Sequence, residues 1–164
     1  MSEARNTKSE RGIGIYARPL WEARLVPDGE PELEKFYAAY LDAFNREDSE
    51  RFARSFAYPY AWIDGSRGLT ICADENHHQH AFASIMSGLK RRGWGSSRAD
   101  RVTSWMMADN LTMVLADVTR YRNDGSILEK VRACYTVRRE AESWKIVTVA
   151  EIRPPYLGPG QVLR

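Results

Sequence analysis

The chain has 164 residues, 24 Lys and Arg against 22 Asp and Glu, and a formal net charge of +2. With 43% apolar and 28% charged residues, it has the make-up of one globular domain, which excludes a disordered or fibrous chain. A domain of this length buries roughly 70% of its unfolded surface, enough for a core without disulfides.

In chain order, the polar stretch Met1 to Arg11 reads as a frayed tail with no hydrophobic signal segment. Ile13, Ile15, Tyr16, Leu20 and Trp21 are too apolar for a free arm, so this stretch is expected to lie on the domain or on a partner subunit. Pro27-Asp28-Gly29 is a turn. Pro31 opens the first predicted helix, with Glu32 and Glu34 at its positive end. Leu33, Phe36, Tyr37, Tyr40, Leu41 and Phe44 form its apolar stripe. Asn45 to Asp48 ends it, and Asp48 caps a short second helix expected to carry Phe52 and Phe56.

Tyr58 to Ile63 reads as a strand, with Pro59 placing it at an edge or a strand start. Asp64-Gly65 and Gly68 turn the chain into a second strand, Leu69 to Cys72. A third helix runs from about Asp74 to Arg91, with His78, Phe82, Ile85 and Leu89 on one face and Gly93 closing it. Four strands follow: Arg98 to Met107, Leu111 to Tyr121, Ile127 to Arg139 and Trp144 to Ile152. Their turns are Asp109-Asn110, Asn123-Asp124-Gly125 and Ala141-Glu142. Early helices and late antiparallel hairpins make the chain α+β, in the order α-α-β-β-α-β-β-β-β. The domain is expected at 31–152, between an extension at 1–30 and a tail at 153–164.

Alternation sets the faces of the sheet. Val131, Ala133, Tyr135 and Val137 form the buried face of their strand. On the strand before it, both faces are nearly equally apolar, so the turn has to decide. A three-residue loop at Asn123-Asp124-Gly125 pairs Arg122 with Ser126. Carried along the ladder, that register sets Asp117 opposite Val131 and Met113 opposite Tyr135, all facing inward. Val114, Ala116 and Val118, with Val147 and Val149, would then form an apolar outer face, expected to be a homodimer interface. Glu151, two residues beyond Val149, is expected on the same face.

The element order, with Lys90-Arg91-Arg92-Gly93-Trp94 closing the third helix, Arg120-Tyr121 before Asp124-Gly125, and the terminal Trp144-Lys145-Ile146, resembles the nuclear transport factor 2-like superfamily. It looks most like the SnoaL-like branch, over about Pro31 to Ile152. The resemblance implies a cone-shaped, cystatin-like roll, in which a curved antiparallel sheet wraps helices around a mostly apolar pocket. It also implies dimers formed through the sheet. The superfamily includes ketosteroid isomerase, scytalone dehydratase, limonene epoxide hydrolase, polyketide cyclases and non-catalytic binding domains. No enzyme branch's full residue set matches this chain, so none of their catalytic residues is carried over.

Asp117, set among apolar neighbours, is the first candidate for a general acid or base. The competing readings are an ion pair with an arginine such as Arg101 or Arg120, or a mouth position reached by water. Tyr135 would hold a substrate oxygen, or else bond a backbone carbonyl in the core. His78 is an alternate base. Tyr37, Tyr40, Phe82 and Met113 would line the substrate pocket. Asp74, His77 and His78 have a spacing that can hold a metal, but no fourth ligand accompanies them. Cys72 and Cys134 lack metal or redox spacing and are expected reduced. The basic spots Lys90-Arg91-Arg92 and Arg138-Arg139 read as solvated surface rather than a nucleic-acid footprint, and no apolar run spans a membrane. The chain therefore reads as a cytoplasmic homodimer with a pocket for a small apolar molecule. It would be either a cofactor-free acid–base enzyme (isomerase, cyclase, dehydratase or epoxide hydrolase type) or a non-catalytic binding module.

Overall fold

The computed structural model describes residues 31–65, 68–141 and 143–152. The expectations for Ile13 to Trp21, for the Pro27-Asp28-Gly29 turn and for the C-terminal tail lie outside the described residues. The elements follow the predicted order: α1 (Pro31–Asn45), α2 (Ser49–Ala53), β1 (Phe56–Asp64), β2 (Gly68–Cys72), α3 (Glu75–Arg91), β3 (Trp94–Ala108), β4 (Leu111–Arg122), β5 (Ile127–Glu140) and β6 (Ser143–Ile152).

Local chemistry sets the helix boundaries. Asp48 accepts a hydrogen bond from the Arg51 amide at 3.0 Å, and Asp74 accepts one from the His77 amide at 2.8 Å. Each caps a helix whose first-turn N–H groups have no partner within the helix. Gly93, at φ +82°, takes the left-handed turn that leads directly into β3. That strand starts at Trp94, four residues earlier than the polar stretch Gly95-Ser96-Ser97 suggests. Phe56, assigned by spacing to the second helix, instead opens β1.

The six strands form one sheet in the order β2-β1-β6-β5-β4-β3. All junctions are antiparallel except β1 with β6, which run parallel, so the sheet is mixed. The three helices pack on its inner face through an aromatic core. Phe52 lies at the centre of that core, with ring centroids 4.5 Å from Phe82, 4.8 Å from Tyr40, 5.4 Å from Phe56 and 5.4 Å from His78.

The inner face of β4 is the reverse of the one expected. The turn is as predicted: the Arg122 amide donates to the Ser126 carbonyl at 2.8 Å, and Gly125 sits at φ +82°. The register then shifts. Tyr121 partners Ile127, but Arg120 partners Glu129, so Leu128 is an extra residue on β5. Such a bulge changes the register by one, and because side chains alternate with period two, every later position on β4 exchanges faces. Val114 now lies opposite Tyr135 and Val118 opposite Val131. Val114, Ala116 and Val118 are buried, as is Val149 on β6. They line the core rather than an outer interface.

The outer face carries different residues. Cross-strand partners place Thr103, Leu115, Cys134, Ala150, Ile63 and Leu69 on one continuous row, and Trp105, Met113, Thr136, Thr148, Ala61 and Ile71 on the next. Ile63, Leu69 and Ile71 are 45%, 65% and 51% exposed, so these two rows are mostly apolar and are open at their β1–β2 end, while the row beyond them on the same face carries Arg101, Asp117 and Arg132.

Candidate functional site

A cavity of about 550 Å³ opens between α1, α3 and the inner face of the sheet. The α1 stripe contributes Tyr37, Tyr40 and Phe44, and α3 contributes Ile85 and Leu89. Val131, Ala133 and Tyr135 form the β5 wall, with Val118 and Val149 beside them. Volume and lining match a site for a small organic molecule.

Three phenols crowd the inner part of this space. The Tyr40 and Tyr135 hydroxyl oxygens are 3.5 Å apart, well beyond the usual O–H···O separation of about 2.8 Å. The Tyr37 hydroxyl is buried and makes no well-formed hydrogen bond, although it lies close enough to Tyr135 to interact with it. Burial raises the pKa of all three, and the neighbouring phenol charges add to it. They therefore remain protonated and act as hydrogen-bond donors. Two hydroxyls this loosely paired can both turn their hydrogens toward a ligand oxygen.

Charged groups also line the cavity. Arg120, 15% exposed, donates through Nη1 to Glu129 at 2.7 Å. Arg92, at the C-terminal end of α3, donates to both oxygens of the same carboxylate at 3.2 and 2.6 Å. Burial alone would raise the Glu129 carboxyl, but the hydrogen bonds and charges of the two guanidiniums outweigh it and hold the pKa below the usual range. Asp64 and Glu151 are register partners across the parallel β1–β6 junction, and both line the cavity. His77 lines it as well.

Of the residues picked out by sequence, Tyr37, Tyr40 and Tyr135 come together here. Phe82 does not line the cavity; it is 3% exposed and stacks behind the wall on Phe52. Met113 and Asp117 lie on the opposite side of the sheet, moved there by the Leu128 bulge. Asp117 binds Arg132 through two hydrogen bonds of 2.6 and 3.1 Å. The alternative of an arginine ion pair is thus what the structure has, with Arg132 as the partner in place of Arg101 or Arg120. The hydrogen bond from Arg132 lowers its pKa against a smaller burial effect, with the charges of Arg132 and Arg101 assisting. Asp117 is a structural anion on the outer face, and it is withdrawn as an acid–base candidate.

Asp117→Asn should cost about 1 kcal/mol at neutral pH, since it weakens a partly exposed bidentate pair. A carboxyl whose pKa is lowered in the fold contributes stability above its unfolded pKa and loses it as pH falls through the folded one. The deficit in urea unfolding should therefore shrink toward about pH 3. A deficit that grew in acid would contradict the assignment.

His78 is 2% exposed and is surrounded by Phe52, Phe56, Tyr58 and Tyr60. Its Nδ1 has no partner, and burial lowers its pKa to about 4. It faces the aromatic core and is not among the residues lining the cavity, so the structure removes it as the alternate base. The Asp74 carboxylate is engaged in capping α3. Among the described residues, no three His, Cys, Asp or Glu side chains converge as a metal site would require.

Sequence reasoning missed Arg120, Arg92, Asp64 and Glu151 as cavity groups, and Glu129 as the carboxylate that holds the two arginines. Glu151 and Val149, expected on the outer face, both face inward on β6. A signal for Arg120 and Glu129 was present: they are opposite charges that meet only in the shifted register, as do Asp117 and Arg132.

Comparison with known proteins agrees with this geometry. Residues 30–154 match the model of a family described as NTF2-like protein (DUF6841). Among curated proteins, none matches the chain. Among solved structures, it is similar to a protein of unknown function with a cystatin-like fold from Nostoc punctiforme PCC 73102. Identity there is 13%, coverage is 76% of this chain and 91% of that one, and the TM-score is 0.62. It is also similar to Aln2 from a Streptomyces species, at 19% identity, coverage of 75% and 88%, and a TM-score of 0.59. A ketosteroid isomerase-like protein from Erwinia carotovora atroseptica SCRI1043 aligns at 16% identity, coverage of 76% and 96%, and a TM-score of 0.53. At these identities the likeness is one of fold.

Proposed function

From the premise that the chain belongs to the NTF2-like family DUF6841, we propose that it is a small-molecule pocket protein of the SnoaL-like type. The observation that carries this reading is the aromatic cavity of about 550 Å³ containing the loosely paired Tyr40 and Tyr135 hydroxyls. The ligand has an apolar body that fills the space between α1 and the β5 wall, and an oxygen that accepts from the two phenols.

A second reading adds cofactor-independent acid–base chemistry of the isomerase, cyclase, dehydratase or epoxide hydrolase type. It is favoured by Asp64 and Glu151, the neighbouring carboxylates in the lining. In that scheme one of them takes the role first given to Asp117, while Tyr135 holds the substrate oxygen.

The test uses naphthalenemethanol, a neutral aromatic alcohol. It should raise the melting temperature of the native protein in a dose-dependent way, because a ligand that binds only the folded state stabilises it. Ala81→Trp, which projects an indole into the cavity from α3, should abolish that shift without unfolding the chain. Absence of a shift for the native protein, together with no co-purified small molecule by native mass spectrometry, would overturn the reading.

We also propose that the chain forms homodimers through the outer sheet face, in the cytoplasm, where Cys72 and Cys134 stay as free thiols. The support is the apolar row from Leu115 through Cys134 and Ala150 to Ile63 and Leu69. Leu115→Arg places a charge in that row and should convert a dimer into a monomer in light scattering. A native protein that is already monomeric at micromolar concentration would refute the assembly.

No described helix is long and apolar enough to cross a membrane.

A further inference from the structure

We infer that the cavity selects ligands bearing a carboxylate, and that Arg120 is the residue that selects them. The inference rests on the reading of the cavity as a small-molecule pocket and names the chemical class of its occupant.

Arg120 lies on β4 between Ser97 of β3 and Glu129 of β5, with its side chain on the inner face. It lines the cavity and is only 15% exposed. A guanidinium presents five N–H donors in a fixed fork. Here one hydrogen bond is formed, from Nη1 to Glu129, and Nε is buried without a partner. Holding Glu129 does not explain this arrangement, because Arg92 already engages both oxygens of that carboxylate. Arg120 is therefore a second cation on an anion that is already paired. Its Nε is withdrawn from water with its hydrogen unspent, an unfavourable state unless an acceptor in the cavity completes it.

The remaining cavity groups narrow the choice of acceptor. The Arg120 charge also acts on the Tyr40 and Tyr135 phenols, which are themselves donors at neutral pH. Arg120 and the phenols thus offer hydrogens and no acceptor strong enough to hold a cation. Glu151, whose charge acts on Arg92, and its register partner Asp64 put negative charge on the β6 and β1 side. An anionic ligand is therefore oriented with its charge toward β4. A planar carboxylate matches the guanidinium fork in two parallel hydrogen bonds; an alcohol or amide oxygen offers no charge and a single accepting atom.

The experiment compares naphthoate with naphthalenemethanol, which share a ring system and differ in charge, by calorimetric titration of the full chain. Naphthoate should bind roughly tenfold tighter than the alcohol, the increment of a charge-assisted pair. Arg120→Gln should remove that preference, so that the two probes bind with affinities within about twofold of each other. Arg120→Lys, which keeps the charge but lacks the fork, should retain part of it. The comparison on the native chain stands even if a variant fails to fold. Equal affinity for the two probes would overturn the inference and leave the pocket intact. A preference that survives in a folded Arg120→Gln would overturn the role of Arg120. Binding of neither probe would overturn the pocket reading, and this inference with it.

Discussion

Between about pH 7 and pH 4.5 the native protein is expected to lose about 2.5 kcal/mol of stability that a His78→Phe variant keeps. The cause is the aromatic surroundings of His78, where the imidazole has no partner for Nδ1 and its pKa falls to about 4 from 6.5. In the unfolded chain this group binds a proton as pH falls through 6.5, whereas in the fold it resists until about 4. The unfolded state then holds more protons, and the balance moves toward it. Stability is complete above the unfolded pKa and declines as pH falls toward the folded one. Phenylalanine has no proton to gain and suits the same ring contacts, so at neutral pH the variant should lie within roughly 1 kcal/mol of the native chain. Urea midpoints measured along this pH range check the sign. Parallel pH profiles for the two proteins would show that His78 stays accessible to protons in the fold.

The second large effect is mechanical. Phe52→Ala should destabilise the fold by about 3–5 kcal/mol, out of a total of roughly 5–15 for a domain. Phe52 is 4% exposed and touches rings from α1, β1 and α3, so no single neighbour can close the void it leaves. It also lines the cavity, so the truncation would merge a new void with an existing one. At about 3 °C per kcal/mol, the melting temperature should fall by about 9–15 °C. Phe52→Leu keeps most of the volume and should recover more than half of the loss. A fall of only a degree or two for the alanine variant would mean that the packing around Phe52 is loose.

The helices and turns were legible because their signals are local. The α1 stripe is set by its own spacing, and Asp48, Asp74, Gly93 and Gly125 each act within a few residues of where they stand. Faces of strands are different, because one residue of register decides them over a long span. The loop at Asn123-Asp124-Gly125 correctly reported how the hairpin begins but carried no information on the Leu128 bulge two residues into β5. Hydrophobicity could not decide either, since Met113 and Leu115 are as apolar as Val114 and Ala116. The information lay in the charges. Only the shifted register sets Asp117 against Arg132 and Arg120 against Glu129, whereas the unshifted one sets an acid against Val131 and an arginine against Leu128. The three tyrosines survived the error because the alternation of β5 and the stripe of α1 do not depend on that ladder.

The parallel junction between β1 and β6 bears on the order in which the molecule can be made. β1 ends at Asp64, and its neighbour in the sheet begins at Ser143. At ribosomal rates of roughly 5–20 residues per second, the β1–β2 hairpin emerges about 4–16 s before the strand that attaches it to the rest of the sheet. During that interval one edge of β1 lacks its ladder, and an isolated two-stranded hairpin is marginal in water. Trp62 and Asp64 thus reach the cavity wall only when the last strand arrives. The site cannot be assembled piecemeal during synthesis, and any ligand held between α1 and the sheet would bind only after β6 has docked.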